Sequence, residues 1–181
     1  MAIRAFAKIK DRLPEAEFQI YGEGPARSSL ISLAAELGLD GRVIFKKLLP
    51  AGEIANIMAG ADLAVVPKRA SSAFGNEAAS TKTFEFMALG VPVVASRTRI
   101  DTYYLNDSQV KFFESDNEDD LAEAILTMAS NPELRARFAA NASRYASSNP
   151  WEEKKLEYLR LVDSLVSRGK TRPLAKESRE A

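Results

Sequence analysis

Apolar and polar positions recur along this chain with two different periods, and the switches between them mark out its elements. Residues 2–13 (AIRAFAKIKDRL) bring Ile3, Phe6, Ile9 and Leu13 close to one helical stripe, and Pro14 ends the run. EFQIYG then reads as a strand at 18–22, closed by the glycines of YGEGP. Residues 26–38 predict a second amphipathic helix carrying Leu30, Leu33, Ala34 and Leu37, with Gly38 as its stop. RVIFKK (42–47) predicts a strand, and 51–59 a short helix ending near Gly60. LAVVP (63–67) and VPVVAS (91–96) are continuous apolar runs, the pattern of strands covered by helices on both faces. Between them, residues 81–89 predict a helix with Ser80 as N-cap and Gly90 as terminator. VKFF (110–113) is the last predicted strand, and helices follow near 117–130, 131–147 and 151–168.

Alternation of this kind implies an α/β fold, a Rossmann-like parallel sheet sandwiched by helices. The expected domain runs over 1–168, and the polar, mixed-charge residues 169–181 (GKTRPLAKESREA) are expected to be a flexible tail. A doubly wound sheet normally opens with a strand, whereas this pattern opens inside a helix. In the usual order, 3-2-1-4-5-6, that first strand is central. The strands at 18–22 and 63–67 would then face each other across a gap. Helices on both faces hold strand spacing near twice the roughly 4.8 Å inter-strand distance, so the expectation is a persisting gap rather than direct pairing.

Composition narrows the chemistry. The 25 basic and 25 acidic side chains of the 181 residues cancel, so the charge balance points to neither nucleic acid nor a membrane surface. Cysteine is absent, which removes disulfides and thiolate chemistry and fits a reducing compartment. Histidine is absent too, which removes a Ser-His-Asp triad and histidine-ligated zinc. Chemistry must rest on carboxylates, Lys, Arg, hydroxyls and backbone dipoles. No apolar run approaches the roughly 20 residues of a membrane span, and the N-terminus lacks the apolar core of a signal peptide. The expected location is the cytoplasm, with peripheral attachment at the inner membrane left open.

The stretch EAASTKTFE places Glu77 and Glu85 eight positions apart across a helix start. The free amides of Ser80, Thr81 and Lys82 would point from that start to the carboxyl edge of the sheet, where an anion gains both hydrogen bonds and the helix dipole. Carboxylates accept hydrogen bonds from vicinal hydroxyls, as α/β folds do with a ribose. The spacing therefore suits a nucleotide sugar, with sugar by Glu77, diphosphate on the amides and ribose by Glu85. The plainer account is two solvated glutamates at a common spacing.

Lys46, Lys47, Lys68 and Arg69 follow predicted strands and so lie at the same edge. Solubility alone explains most surface lysines, but a cationic pair at Lys68 and Arg69 would neutralise a diphosphate. YGEGP contains a Gly-x-Gly without the third glycine of a dinucleotide fingerprint and reads as a structural turn. Asp101, Tyr103 and Tyr104 sit where a base or acceptor would be touched, with core packing expected for the tyrosines. Trp151 starts the last helix, whose Leu159, Val162 and Val166 form an apolar stripe.

Taken in order, YGEGP, RVIFKK, AGADLAVVPKR and NEAASTKTFEFMALGVPVVAS resemble the C-terminal, donor-binding half of a GT-B-fold glycosyltransferase of the family 4 type, over residues 2 to about 166. The resemblance implies two Rossmann-like domains, sugar transfer from a nucleoside-diphosphate donor with retention of configuration, and no metal or other cofactor. It assigns Glu77 to the donor sugar and Glu85 to the ribose, through a pattern of two glutamates separated by seven residues. It also implies that the acceptor-binding N-terminal domain and the first strand with its Gly-rich turn lie outside this chain, and that the terminal helix crosses to the other domain. Two departures stand out. Phe74-Gly75 precede Glu77 instead of lying between the glutamates, and RTRID replaces a glycine pair after VPVVAS.

The expected function is thus glycosyl transfer to an unknown acceptor, this chain supplying the donor-binding half and being inactive alone. The competing reading is a non-catalytic nucleotide-binding or interaction module. A phosphorylation-receiver domain would need acidic clusters at the ends of its first and third strands, and none is in place.

Overall fold

The computed structural model describes residues 1–72 and 74–169. They form two compact units, residues 1–146 and the segment from 147 onward. In the first, helices and strands alternate as the pattern predicts. The order is α1 (Ala2–Ile9), β1 (Phe18–Tyr21), α2 (Arg27–Glu36), β2 (Val43–Lys46), α3 (Ala51–Ala59), β3 (Ala64–Val66) and α4 (Thr81–Ala88). Then come β4 (Val93–Arg97), α5 (Arg99–Tyr104), β5 (Lys111–Glu114), α6 (Glu118–Ala129) and α7 (Pro132–Ser147). The second unit is built around α8 (Trp151–Gly169), which carries the ion pairs Lys154–Glu157 and Lys155–Glu152 and leaves Leu159 and Val166 of its apolar stripe exposed. Most of the tail expected at 169–181 lies outside the described residues.

All strand pairs are parallel, in two separate ladders. β1 pairs with β2 from Phe18↔Val43 to Tyr21↔Lys46. β3, β4 and β5 form the other ladder, with Ala64↔Val93 and Val94↔Lys111 setting the register. Among the described residues β1 and β3 share no ladder, so the gap expected from the sequence is present.

Strands and helices share two apolar layers. On one side Ile3, Phe6 and Ile9 of α1 and Leu121, Ile125 and Met128 of α6 pack with Val94 and Phe113. On the other, Met87 of α4 and Ala142 of α7 pack with Ala64, Val66, Val93, Ala95 and Phe112. Alternate residues of β4 and β5 thus go to opposite layers, which is why these runs are apolar throughout.

Boundaries differ from the pattern where local chemistry intervenes. α1 stops at Ile9 instead of running to Leu13, because the amides of both Arg12 and Leu13 turn back to the Ile9 carbonyl. β4 begins two residues later than predicted. Pro92 has no N–H to give a ladder, and it contributes only its carbonyl, to Ala64 N–H. α5 carries no apolar period and went unpredicted. Thr98 starts it, its hydroxyl accepting from the Asp101 amide. At the end of α4, Gly90 adopts φ +74° while Val91 N–H reaches the Phe86 carbonyl, a left-handed helix stop that favours glycine.

Candidate functional site

The candidate residues gather beyond the carboxyl ends of β3, β4 and β5, on a loop running from Pro67 to Ser80. Polar side chains near the end of β4 and just past β5 pin this loop. Ser96 Oγ accepts from the Lys68 amide (2.7 Å) and donates to the Lys68 carbonyl (2.8 Å). Ser115 Oγ donates to the same carbonyl (2.9 Å) and accepts from the Ala70 amide (2.8 Å). Asn76 Nδ2 donates back to the Ala70 carbonyl (3.0 Å), while its Oδ1 receives the Arg99 amide (2.9 Å). Gly75 is buried in this fold-back. A Cβ there would lie 1.8 Å from the Arg69 carbonyl oxygen, so only glycine fits.

Lys68 is not the free cation the sequence suggested. Its Nζ lies 2.7 Å from Asp101 Oδ2 and donates to the Ala78 carbonyl at 2.9 Å, with side-chain exposures of 16% for Lys68 and 3% for Asp101. Thr98 Oγ1 donates to the same carboxylate. The ammonium is thereby committed to holding the loop over α5. Asp101 in turn is a buried anchor, not a surface contact for base or acceptor. Arg69 projects outward and approaches Asp116 at 3.9 Å.

Downstream of this anchor, Glu77 stands exposed and pairs with the Arg99 guanidinium. Arg99 belongs to the RTRID segment that the sequence comparison treated as a departure, and its place beside Glu77 went unrecognised. The signal available was its position just past an apolar strand, at the carboxyl edge. Ser80 holds the N-cap backbone conformation of α4 (φ −79°, ψ 119°), but its hydroxyl makes no capping bond, contrary to the expected role. The amides of Ser80, Thr81 and Lys82 have no backbone acceptor among the described residues, whereas Thr83 N–H bonds to the Ser80 carbonyl. Glu85 is exposed one turn into the helix, on the face of Thr81 and Lys82. Its carboxylate has no partner among the described residues.

The arrangement is an open helix start with a carboxylate ahead of it, another behind it, and Arg69, Lys82 and Arg99 nearby in the chain. Such a site can take an anionic group on the amides and hydroxyls on the carboxylates. Lys47 is exposed after β2, on the other ladder. Tyr103 (77% exposed) and Tyr104 stack edge to face at 4.9 Å and lie at the surface, which corrects the core packing expected of them. Gly22 of YGEGP takes φ +146°, in keeping with a structural turn. Among the described residues no three carboxylates share a position suited to a metal ion.

A sequence model described as glycosyl transferases group 1 matches residues 1–145. The D-inositol 3-phosphate glycosyltransferase of Rhodococcus jostii is 30% identical over 158 residues, 83% of this chain and 34% of that protein. The GDP-mannose-dependent alpha-(1-6)-phosphatidylinositol monomannoside mannosyltransferase of Mycolicibacterium smegmatis is 35% identical over 54% of this chain and 26% of its own length. This chain thus spans about a third or less of these relatives. Among solved structures, Anabaena HepE in complex with UDP and glucose superimposes with a TM-score of 0.77 at 21% identity, covering 90% of this chain and 43% of that one. At that identity the likeness concerns the fold alone.

Proposed function

The chain belongs to the glycosyl transferases group 1 family, and from that premise we propose that it supplies the donor-binding half of a GT-B transferase acting on a nucleoside-diphosphate sugar. The transfer proceeds with retention of configuration, as in family 4. The observation that carries this reading is the unoccupied amide set of α4 with Glu77 before it and Glu85 behind it. In this reading the diphosphate sits on the amides of Ser80, Thr81 and Lys82, Glu85 accepts from the ribose hydroxyls, and Glu77 accepts from the donor sugar. Arg69, Arg99 and Lys47 add positive potential, while Lys68 acts by fixing the loop. As the bond from the anomeric carbon to the diphosphate oxygen breaks, an acceptor oxygen takes its place and negative charge grows on the leaving diphosphate. Preorganised amides and guanidinium groups lower the cost of that charge.

The acceptor and its binding domain belong to the whole protein, of which a donor half is one part. The mannosyltransferase named above is GDP-mannose-dependent and the HepE complex holds UDP, so the base is left to experiment. A chain without cysteine suits a reducing compartment, and the reaction is placed in the cytoplasm with peripheral membrane attachment open. No described helix is long and apolar enough to cross a membrane.

Calorimetric titration of the chain with UDP-, GDP- and ADP-sugars tests the reading. One of them is expected to bind, and Glu85→Ala to weaken it by about 1–3 kcal/mol, the usual cost of leaving hydroxyl partners unmet. Binding unchanged by Glu85→Ala in a folded chain returns that residue to a solvated helix position.

A further inference from the structure

Aromatic rings from three helices form a row that runs outward to the surface. Tyr145 of α7 stacks on Phe84 of α4 with centroids 6.4 Å apart and planes 24° apart, and Phe84 and Tyr104 of α5 cross at 86° and 6.2 Å. Tyr104 in turn crosses Tyr103 at 89° and 4.9 Å. Exposure rises along the row. Tyr145 and Phe84 are half-buried, Tyr104 is 46% exposed and Tyr103 is 77% exposed. The phenolic hydroxyls of Tyr103 and Tyr104 have no hydrogen-bond partner among the described residues.

The outer pair stands on a fixed base. α5 is anchored at its start by the Thr98, Asp101 and Lys68 contacts, and at its end by buried Leu105, whose N–H donates to the Asp101 carbonyl (2.9 Å). Asn141 of α7 donates to the Ser108 carbonyl (2.9 Å), which ties the turn after α5 to the helix that carries Tyr145. A tyrosine ring has only two side-chain torsions to order, so a held pair offers contact area at low entropic cost.

Position and charge indicate what the rings meet. Arg99 and Tyr103 are four residues apart on α5, so they share one face with Cβ atoms about 5–6 Å apart. Arg99 pairs with Glu77, the carboxylate assigned to the donor sugar. The exposed rings therefore stand about one helical turn from that sugar. The arginines of this segment are both paired, Arg97 with Asp107 and Arg99 with Glu77, which leaves no spare cation there for anionic lipid headgroups. A pyranose suits such a surface, because its C–H side packs on the electron-rich ring face while its hydroxyls stay in water or reach a phenolic oxygen.

We infer that Tyr103 and Tyr104 form a saccharide-binding face that holds a pyranose unit of the acceptor beside the donor sugar. Its role as an acceptor contact rests on the donor reading given under the proposed function. A ring held from one side is retained without its reacting hydroxyl being oriented, so this face adds affinity for the acceptor and leaves alignment to other contacts.

Nuclear magnetic resonance of the full chain, carrying isotope-labelled tyrosine, tests the inference. The probes are methyl α-D-mannopyranoside and methyl β-D-glucopyranoside, with mannitol as a control that has hydroxyls but no ring face. The ring signals of Tyr103 and Tyr104 are expected to shift saturably with at least one pyranoside, in the millimolar range, while those of Tyr21 and Tyr158 stay in place. Tyr103→Ala should weaken the pyranoside about three- to tenfold, read at Tyr104, and Tyr103→Phe should restore binding to within about threefold. Absence of a saturable shift overturns the inference, as do equal shifts with mannitol or undiminished binding in Tyr103→Ala. Broadening of the two ring signals by phosphatidylcholine–phosphatidylglycerol vesicles, with no response to pyranosides, would overturn it in favour of a membrane contact. Donor binding in the calorimetric titration without these shifts sinks this inference alone. Shifts without donor binding keep the sugar-binding face and sink the donor reading, and with it the acceptor role.

Discussion

Replacing Lys68 by methionine removes one half of a pair whose other half cannot reach water. Asp101 is 3% exposed and, among the described residues, keeps only the Thr98 hydroxyl and its own turn as partners once the ammonium is gone. Stranding a charge in this way typically costs about 3–5 kcal/mol. The reverse change, Asp101→Asn, is milder. Lys68 retains the Ala78 carbonyl and 16% exposure, so its ammonium still finds solvent, and a cost of about 1–3 kcal/mol is expected. The pair Lys68→Met with Asp101→Leu leaves no charge behind, and should cost less than the two single losses added together. Urea denaturation followed by circular dichroism measures all three at constant m-value. The same proteins, titrated with the best-bound nucleotide sugar under conditions where each is folded, separate anchoring from ligand contact. Loss of stability below about 1 kcal/mol for Lys68→Met, joined to a large loss of nucleotide affinity, would refute the anchoring role and restore Lys68 as a diphosphate ligand.

Gly75→Ala places a methyl inside the Arg69 carbonyl, which Ser96 and Ser115 restrain through Lys68 and Ala70; the expected cost is about 1–3 kcal/mol, read from the same urea curves, with loss of donor binding by calorimetry. Arg99→Ala should change stability by less than about 1 kcal/mol, because its pair with Glu77 is exposed, yet weaken donor binding in titration. Glu77→Ala in a transferase completed by its acceptor domain should lower turnover more than nucleotide affinity, by steady-state kinetics. The present chain alone should show no sugar transfer above donor hydrolysis in a radiolabelled-sugar assay, since nothing in a donor half orients the acceptor.

Much of this molecule was written in its one-dimensional pattern. Continuous apolar runs at LAVVP and VPVVAS require strands buried on both faces, and the 3.6-residue stripe of Ile3, Phe6 and Ile9 requires a helix against them. From the alternation of these elements the parallel layering followed, and so did the open place between β1 and β3. Glycine after α4 and serine before it marked the helix that carries the candidate site, because those positions depend on local backbone geometry. What the pattern left undecided were long-range polar contacts. Nothing near Lys68 in sequence announces Asp101, which is 33 positions away and meets it only because β3 and β4 are adjacent and their following segments share one edge. The same adjacency sets Arg99 beside Glu77. Apolar periodicity is legible in sequence because burial is non-directional and acts on every residue of an element alike. A hydrogen bond or ion pair needs two particular atoms within about 3 Å, and only the completed sheet brings them there.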